Sequence, residues 1–334
     1  MLERDQRIVV TGGAGFIGSA LVWALNQRGL DRIIVVDRRT GTNRHPEKER
    51  NLTPLHFEEY LDADEFLKLV TDNSPRLAGV NTLFHLGACS STTETDTDYL
   101  RRNNLEYTKT LAHWAIAHDV RFIYASSAAT YGDGSAGMLD GTASLDSYHP
   151  LNPYGQSKHL FDLYARDHGL FERIVGLKYF NIFGPNENHK GEMRSLVNKA
   201  YTQIRETGRL RLFKSHNPEY EDGEFGRDFL YVKDAIEMTL HFSNNQVCGL
   251  FNIGSGVVSS WNSLAHNIFA ALNLAPNIEF IDMPEEIRER YQYRTQADLK
   301  QLHASGYERS ITSLADAVAD YTQHHLVPDK HLGE

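Results

Sequence analysis

The chain has 334 residues, 41% of them hydrophobic and 23% charged, and 34 basic against 44 acidic residues leave a net charge of −10. These proportions suit a globular protein with enough chain for two lobes of roughly 100–200 residues, and the acidic balance argues against a sequence-independent nucleic-acid binder, which needs a basic face. No apolar run approaches the ~20 residues of a membrane span. The charged start from Met1 to Arg7 does not read as a signal peptide, and Cys89 and Cys248 are the only cysteines, so the expectation is a cytoplasmic protein without a disulfide scaffold.

In chain order, residues 7–11 (RIVVT) read as a first strand, and residues 16–28 carry apolar residues at helical spacing. A second strand, 32–37 (RIIVVD), precedes a polar stretch from Thr40 to Arg50 that reads as a surface loop or insertion. Helical spacing returns at 62–73, 98–118 and 154–168. It alternates with short runs rich in β-branched and aromatic residues at 82–87 (TLFHLG), 121–126 (RFIYAS) and 174–179 (IVGLKY). This alternation predicts an α/β protein with a doubly wound parallel sheet covered by helices on both faces. Past Asn181 the pattern changes: polar loops at 184–192 and 214–227 are separated by one helix, and a run at 249–253 precedes Gly254-Ser255-Gly256. We expect a dinucleotide-binding domain of residues 1–180 and 228–254, and a smaller, discontinuous α/β substrate-binding domain of residues 181–227 and 255–334.

Residues 11–18 (TGGAGFIG) lie directly after the first strand and open the first helix. Gly12, Gly15 and Gly18 form GxxGxxG, and Gly13, Gly15 and Gly18 also satisfy GxGxxG. Glycine suits a tight turn, close approach of a pyrophosphate to the backbone, and packing of helix on strand. The helix N-terminus then offers free N–H groups to the phosphates. Asp37 ends the next strand, where a ribose-binding acid belongs. Alone it favours NAD, but Arg38 and Arg39 follow at once and Lys48 is near, which suits a 2′-phosphate and hence NADP. Further on, the fourth long strand ends in YASSAATYG (124–132), placing Ser126 and Ser127 at the sheet's carboxyl edge. Tyr154 and Lys158 are four residues apart, so on a helix they share a face. A phenol is a poor base at neutral pH, and a neighbouring ammonium is expected to lower its pKa. Taken singly, each reads as an ordinary exposed helical residue; following a dinucleotide fingerprint and a serine at a strand end, the pair reads as chemistry.

With those motifs in place, the sequence resembles the extended short-chain dehydrogenase/reductases, and among them the nucleotide-sugar epimerases. The resemblance covers nearly the whole chain, most tellingly at 87–94 (GACSSTTE), 124–132, 179–184 (YFNIFG), 188–193 (NHKGEM), 227–232 (RDFLYV) and 290–298 (RYQYRTQAD). It implies a Rossmann-type fold, bound NADP (NAD as the alternative), and inversion at C6 of the heptose of an ADP-sugar through a 6-ketone, for lipopolysaccharide core assembly. It implies Tyr154 and Lys190 as the two acid/base groups, Ser127 supporting the ketone oxygen, and Lys158 holding the nicotinamide ribose. Cofactor contacts fall by the same resemblance on Phe16, Ile17, Asp37, Arg38, Lys48, Leu86, Gly87, Ala88, Cys89, Ser90, Asn103, Ile182 and Lys190, with the three glycines. Substrate contacts fall on Ser127, Asn181, Glu192, Lys199, Phe213, Lys214, Ser215, His216, Arg227 and Tyr291. Leu86, Ala63 and Lys199 depart from the family pattern, which has an acid, a lysine and a histidine at those places. The family forms homo-oligomers, a pentamer among close relatives.

Sixteen histidines show no metal-ligand spacing, and Cys89 reads as packing rather than as a nucleophile. Two other readings keep a foothold. A UDP- or dTDP-hexose 4-epimerase or 4,6-dehydratase would share the fold, but Ala128-Ala129 stand where dehydratases carry an Asp-Glu pair. A non-catalytic dinucleotide sensor would tend to lose the tyrosine or lysine, and both are present.

Overall fold

In the computed structural model, residues 5–38, 46–288 and 291–334 are described; Arg39 and most of the 42–47 loop lie outside them. The first half alternates strand and helix: β1 (Arg7–Thr11), α1 (Phe16–Gln27), β2 (Ile33–Asp37), α2 (Pro46–Arg50), β3 (Glu59–Asp62) and α3 (Ala63–Thr71). It continues through β4 (Val80–His85), α4 (Thr97–Leu100), α5 (Tyr107–Ala117), β5 (Arg121–Ser127), α6 (Pro153–Asp167) and β6 (Ile174–Tyr179). Next come β7 (Asn181–Phe183), α7 (Leu196–Thr207), β8 (Leu210–Phe213), β9 (Gly226–Tyr231) and α8 (Val232–His241). The last strands are β10 (Gly249–Ile253), β11 (Val258–Ser260) and β12 (Ile278–Ile281), with α9 (Trp261–Ala271) between the latter two.

Seven strands form one sheet in the order β3–β2–β1–β4–β5–β6–β10, and every pairing is parallel. Strand periodicity divides the apolar residues between two layers. Ile8, Val10, Ile33, Val35, Phe84 and Ile123 pack on the face covered by α1 and α8, with Leu21 and Ile236 in that core. Their neighbours Val9, Ile34, Leu83 and Phe122 pack on the other face with Phe66 of α3, Leu111 of α5 and Phe161 of α6. Both faces being dry, the strands are apolar throughout.

Strand order reverses between β1 and β4. A crevice opens there at the carboxyl ends of the strands, where ligands of such sheets bind. The remaining strands form a three-stranded sheet, β11–β9–β7, and a β12–β8 pair. The 98–118 helix is not continuous α-helix: a π turn, Arg101–Glu106, joins α4 to α5. Among the described residues no helix is long and apolar enough to cross a membrane, and no group of His, Cys, Asp or Glu is arranged to hold a metal.

Candidate active site

At the carboxyl end of β1 the chain turns at Gly12, whose φ of +69° lies in the left-handed region. A Cβ at Gly12 would stand 2.7 Å from the Gly87 nitrogen, and one at Gly18 would stand 2.0 Å from the Gly12 carbonyl oxygen. Only glycine fits these two places, because the contacts are backbone and cannot yield. Gly15 precedes α1 and supplies no side-chain cap, so the first-turn N–H groups face an open cradle suited to a pyrophosphate. Asp37 is 7% exposed; its carboxylate accepts from Ala14 N (3.1 Å) and Arg38 N (2.7 Å) and is paired with the Lys48 ammonium. The Arg38 guanidinium donates to Asn103 Oδ1 (2.7 Å) and lies 3.5 Å from Asp64. The chemistry of this donor set fits an adenosine ribose, with two cations at hand for a phosphate on it.

The π turn has a visible consequence here, as such turns often do near sites. Asn104 is buried, accepts from Cys89 N (2.9 Å) and donates to Cys89 O (3.0 Å) and Ser157 Oγ (2.9 Å). It therefore clamps the Leu86–Ser90 segment to α6. Sequence reasoning passed over Asn104; its only signal there was the Asn-Asn pair.

At the end of β5, the Ser127 hydroxyl, which accepts from Ala129 N (3.1 Å), stands beside the Tyr154 phenol, while Lys158 Nζ donates to Ala125 O (2.8 Å). Asn152 caps α6 by accepting from Gly155 N (2.8 Å), and Pro153 starts the helix, which sets the entry angle of Tyr154. Burial pushes the phenol above its ordinary range, with the Ser127 hydroxyl opposing. The sequence expectation of a lowered phenol is thus not met: desolvation dominates, and the ammonium addresses a carbonyl. Burial brings Lys158 itself down to about 8, with the Asp162 carboxylate resisting.

Lys190 comes from the turn between β7 and α7. Its ammonium sits 5.3 Å from the Phe16 ring centroid, and burial lowers its pKa against the pull of Glu187. Glu187 is 1% exposed and accepts from Ser195 N and Ser195 Oγ, both at 2.6 Å. Gly191 follows Lys190 at φ +54°, turning the chain away.

These groups share one cavity of about 1320 Å³. Its wall includes every expected cofactor residue from Gly12 to Lys190, together with Ser127, Tyr154, Lys158, Asn181, Lys199, Phe213 and Tyr291. Arg227 lies behind Tyr291, 5.1 Å from its ring centroid, buried and without an acidic partner among the described residues. Like Arg227, four further expected substrate side chains lie off the wall. Lys214 pairs with Asp282 (3.3 Å), Ser215 Oγ donates to Asn217 O (2.8 Å), His216 Nε2 accepts from Met283 N (3.3 Å), and Glu192 is exposed. Lining residues missed from sequence include Arg194, Gln203 and Arg211. Leu196, Lys199, Ala200 and Gln203 share one face of α7 at the spacing i, i+3, i+4, i+7, a signal that was available.

Residues 8–254 match the model of the NAD dependent epimerase/dehydratase family. The chain is 46% identical over 319 residues, 95% of its length and 97% of the relative's, to the ADP-L-glycero-D-manno-heptose-6-epimerase of Nitratidesulfovibrio vulgaris (strain DP4). It is 40% identical to that of Fusobacterium nucleatum, over 96% of this chain and 98% of that one. Among solved structures, the Helicobacter pylori ADP-L-glycero-D-manno-heptose-6-epimerase superposes with a TM-score of 0.80 at 26% identity, covering 96% of both chains.

Proposed function

The chain belongs to the NAD dependent epimerase/dehydratase family and, within it, to the ADP-L-glycero-D-manno-heptose-6-epimerases, and from that premise we propose how this isomerase works. It inverts C6 of ADP-D-glycero-β-D-manno-heptose through a transient 6-ketone, using bound NADP, and its product feeds lipopolysaccharide core assembly. One observation carries the reading: Tyr154 and Lys190, two proton-handling side chains from separate parts of the fold, line the cavity that the glycine loop also lines.

The Gly12–Gly18 loop would hold the pyrophosphate, Asp37, Arg38 and Lys48 the adenosine end, and Lys158 the nicotinamide ribose. NADP⁺ when bound supplies a two-electron acceptor that can return the electrons to the same carbon. One acid/base group removes the C6 hydroxyl proton, and the other delivers a proton to the carbonyl oxygen once the sugar presents its opposite face. Two groups are needed because the oxygen occupies two places. Ser127 Oγ donates to that oxygen alongside Tyr154 Oη. A half-buried lysine whose pKa is drawn down, such as Lys190, exchanges a proton near neutrality more readily than a free one. The segments 181–227 and 255–334 form the substrate-facing lobe. Arg227 behind Tyr291 is a guanidinium suited to the diphosphate. Arg38 and Lys48 favour NADP over NAD; Arg38→Ala/Lys48→Ala should weaken NADP⁺ binding by at least about tenfold and NAD⁺ binding far less, measured by calorimetry.

The test is incubation with ADP-D-glycero-β-D-manno-heptose, following C6 configuration by NMR. Appearance of the L-glycero epimer supports the assignment. Conversion of UDP- or dTDP-hexoses instead would move it to a hexose 4-epimerase.

A further inference from the structure

Four consecutive residues at the carboxyl end of β5 are each tied to α6. Tyr124 Oη donates to Asp162 (2.7 Å), Ala125 O accepts from Lys158 Nζ (2.8 Å), Ser126 Oγ donates to Asp162 (2.8 Å), and the Ser127 hydroxyl stands beside the Tyr154 phenol. On the helix, Tyr154, Lys158 and Asp162 are spaced by four and form one ridge. Asp162 has a third donor, Lys178 Nζ from β6 at 2.7 Å, and both side chains are 0% exposed. Lys178 also donates to Thr130 Oγ1 (2.5 Å) and stands 4.8 Å from the Tyr131 ring centroid. A fully buried ion pair is a weak source of stability, often replaceable by apolar packing, so its place one helical turn beyond Lys158 asks for a second role.

We propose that Asp162 is a positioning residue for the reaction: it fixes α6 against β5 so that Tyr154 meets Ser127, and its carboxylate holds buried Lys158 as the ammonium at neutral pH. The inference rests on the roles given above to Tyr154 and Lys158. Burial alone drives Lys158 toward the neutral amine, and Asp162 is the largest influence opposing it. Cys89 also raises the Lys158 pKa, but less than Asp162 does, and the neighbouring groups carry little charge at neutral pH. Tyr154 is kept protonated by burial, Cys89 likewise, and His85 on β4 is neutral with its pKa near 3. Lys178 serves as the counter-ion of that carboxylate.

Asp162→Asn alone strands Lys178 without a counter-charge, so the informative protein is Asp162→Asn/Lys178→Met. It keeps an acceptor oxygen for one of Tyr124 and Ser126 and removes the stranded Lys178 charge, so that Lys158 is the buried cation whose response is read. Two readouts apply to the folded protein, its fold checked by circular dichroism and melting temperature. Titration of Lys158 by NMR of ε-¹³C-lysine, assigned with Lys158→Arg, should move roughly one pH unit lower than in the unsubstituted chain, as expected on losing an opposite charge at ~4–6 Å. The alkaline limb of kcat should move by the same amount, with KM for the sugar nucleotide within about twofold. A Lys158 titration or alkaline limb that stays in place in the folded variant overturns the proposal. If the unsubstituted chain epimerises no nucleotide sugar, the functional reading fails, while the lysine titration, which needs no substrate, still decides this inference.

Discussion

Tyr154 and Lys190 reach one cavity from α6 and from the loop before α7, and their side-chain chemistry is what the proposed inversion needs. Tyr154→Phe and Lys190→Met should each lower kcat by about 10²–10⁴-fold, the usual worth of a positioned acid or base, while KM moves little. Comparable kcat in either variant would remove that residue from the mechanism. The pH dependence has a defined sign. Lys158 must be cationic, and its pKa in the folded protein is depressed to about 8, so activity should hold from pH 6.5 to 7.5 and decline as pH rises through 8. A profile flat to pH 10 would contradict it. Tyr154, Lys158 and Ser127 were legible from spacing and strand position. Lys190 was legible only through its flanking NHKGEM motif. Glu187 was not legible at all, because its partners at Ser195 come from chain folded back over it.

At the scale of elements, the glycine loop is the most constrained piece. Gly18→Ala would press a methyl to 2.0 Å from the Gly12 carbonyl, displacing the first turn of α1. Dinucleotide affinity should fall by more than about tenfold, measured by tryptophan fluorescence or calorimetry; near-native affinity would show that the first turn does not carry the phosphates. Most long strands were read to within a residue, since parallel strands buried on both faces are continuous in apolar character; β4 lies two residues earlier than the 82–87 read for it, and β3, four residues long, was not read. Strands outside the seven-stranded sheet escaped. β7 and β11 have three residues and β8 and β12 four, too few for a period of two to declare itself. β9 began inside a stretch read as polar loop because Arg227 and Asp228 interrupt it; both are buried, Asp228 accepting from Ser255 N (2.5 Å) and Ala297 N (2.9 Å). Such charges are intelligible only with their tertiary partners.

Over the whole molecule, a net charge of −10 surrounds a cavity with the opposite local character. Arg38, Lys48, Lys158, Lys190, Arg194, Lys199 and Arg211 line it, against Asp37 and Glu94. An anionic nucleotide sugar is therefore drawn to a basic interior in an acidic shell, and salt should weaken that attraction. KM should rise about 3- to 10-fold between 0.05 and 0.5 M NaCl with kcat nearly constant; salt-independent KM would show that these charges do not hold substrate. In the proposed inversion C6 loses a hydride and regains the same hydride within one cavity, without exchange with water. The most direct measurement uses ADP-D-glycero-β-D-manno-heptose deuterated at C6, incubated in ordinary water and read by NMR and mass spectrometry. The expected product is the L-glycero epimer with deuterium retained at C6. Product in which that deuterium has been exchanged for solvent hydrogen would contradict the return of the same hydride.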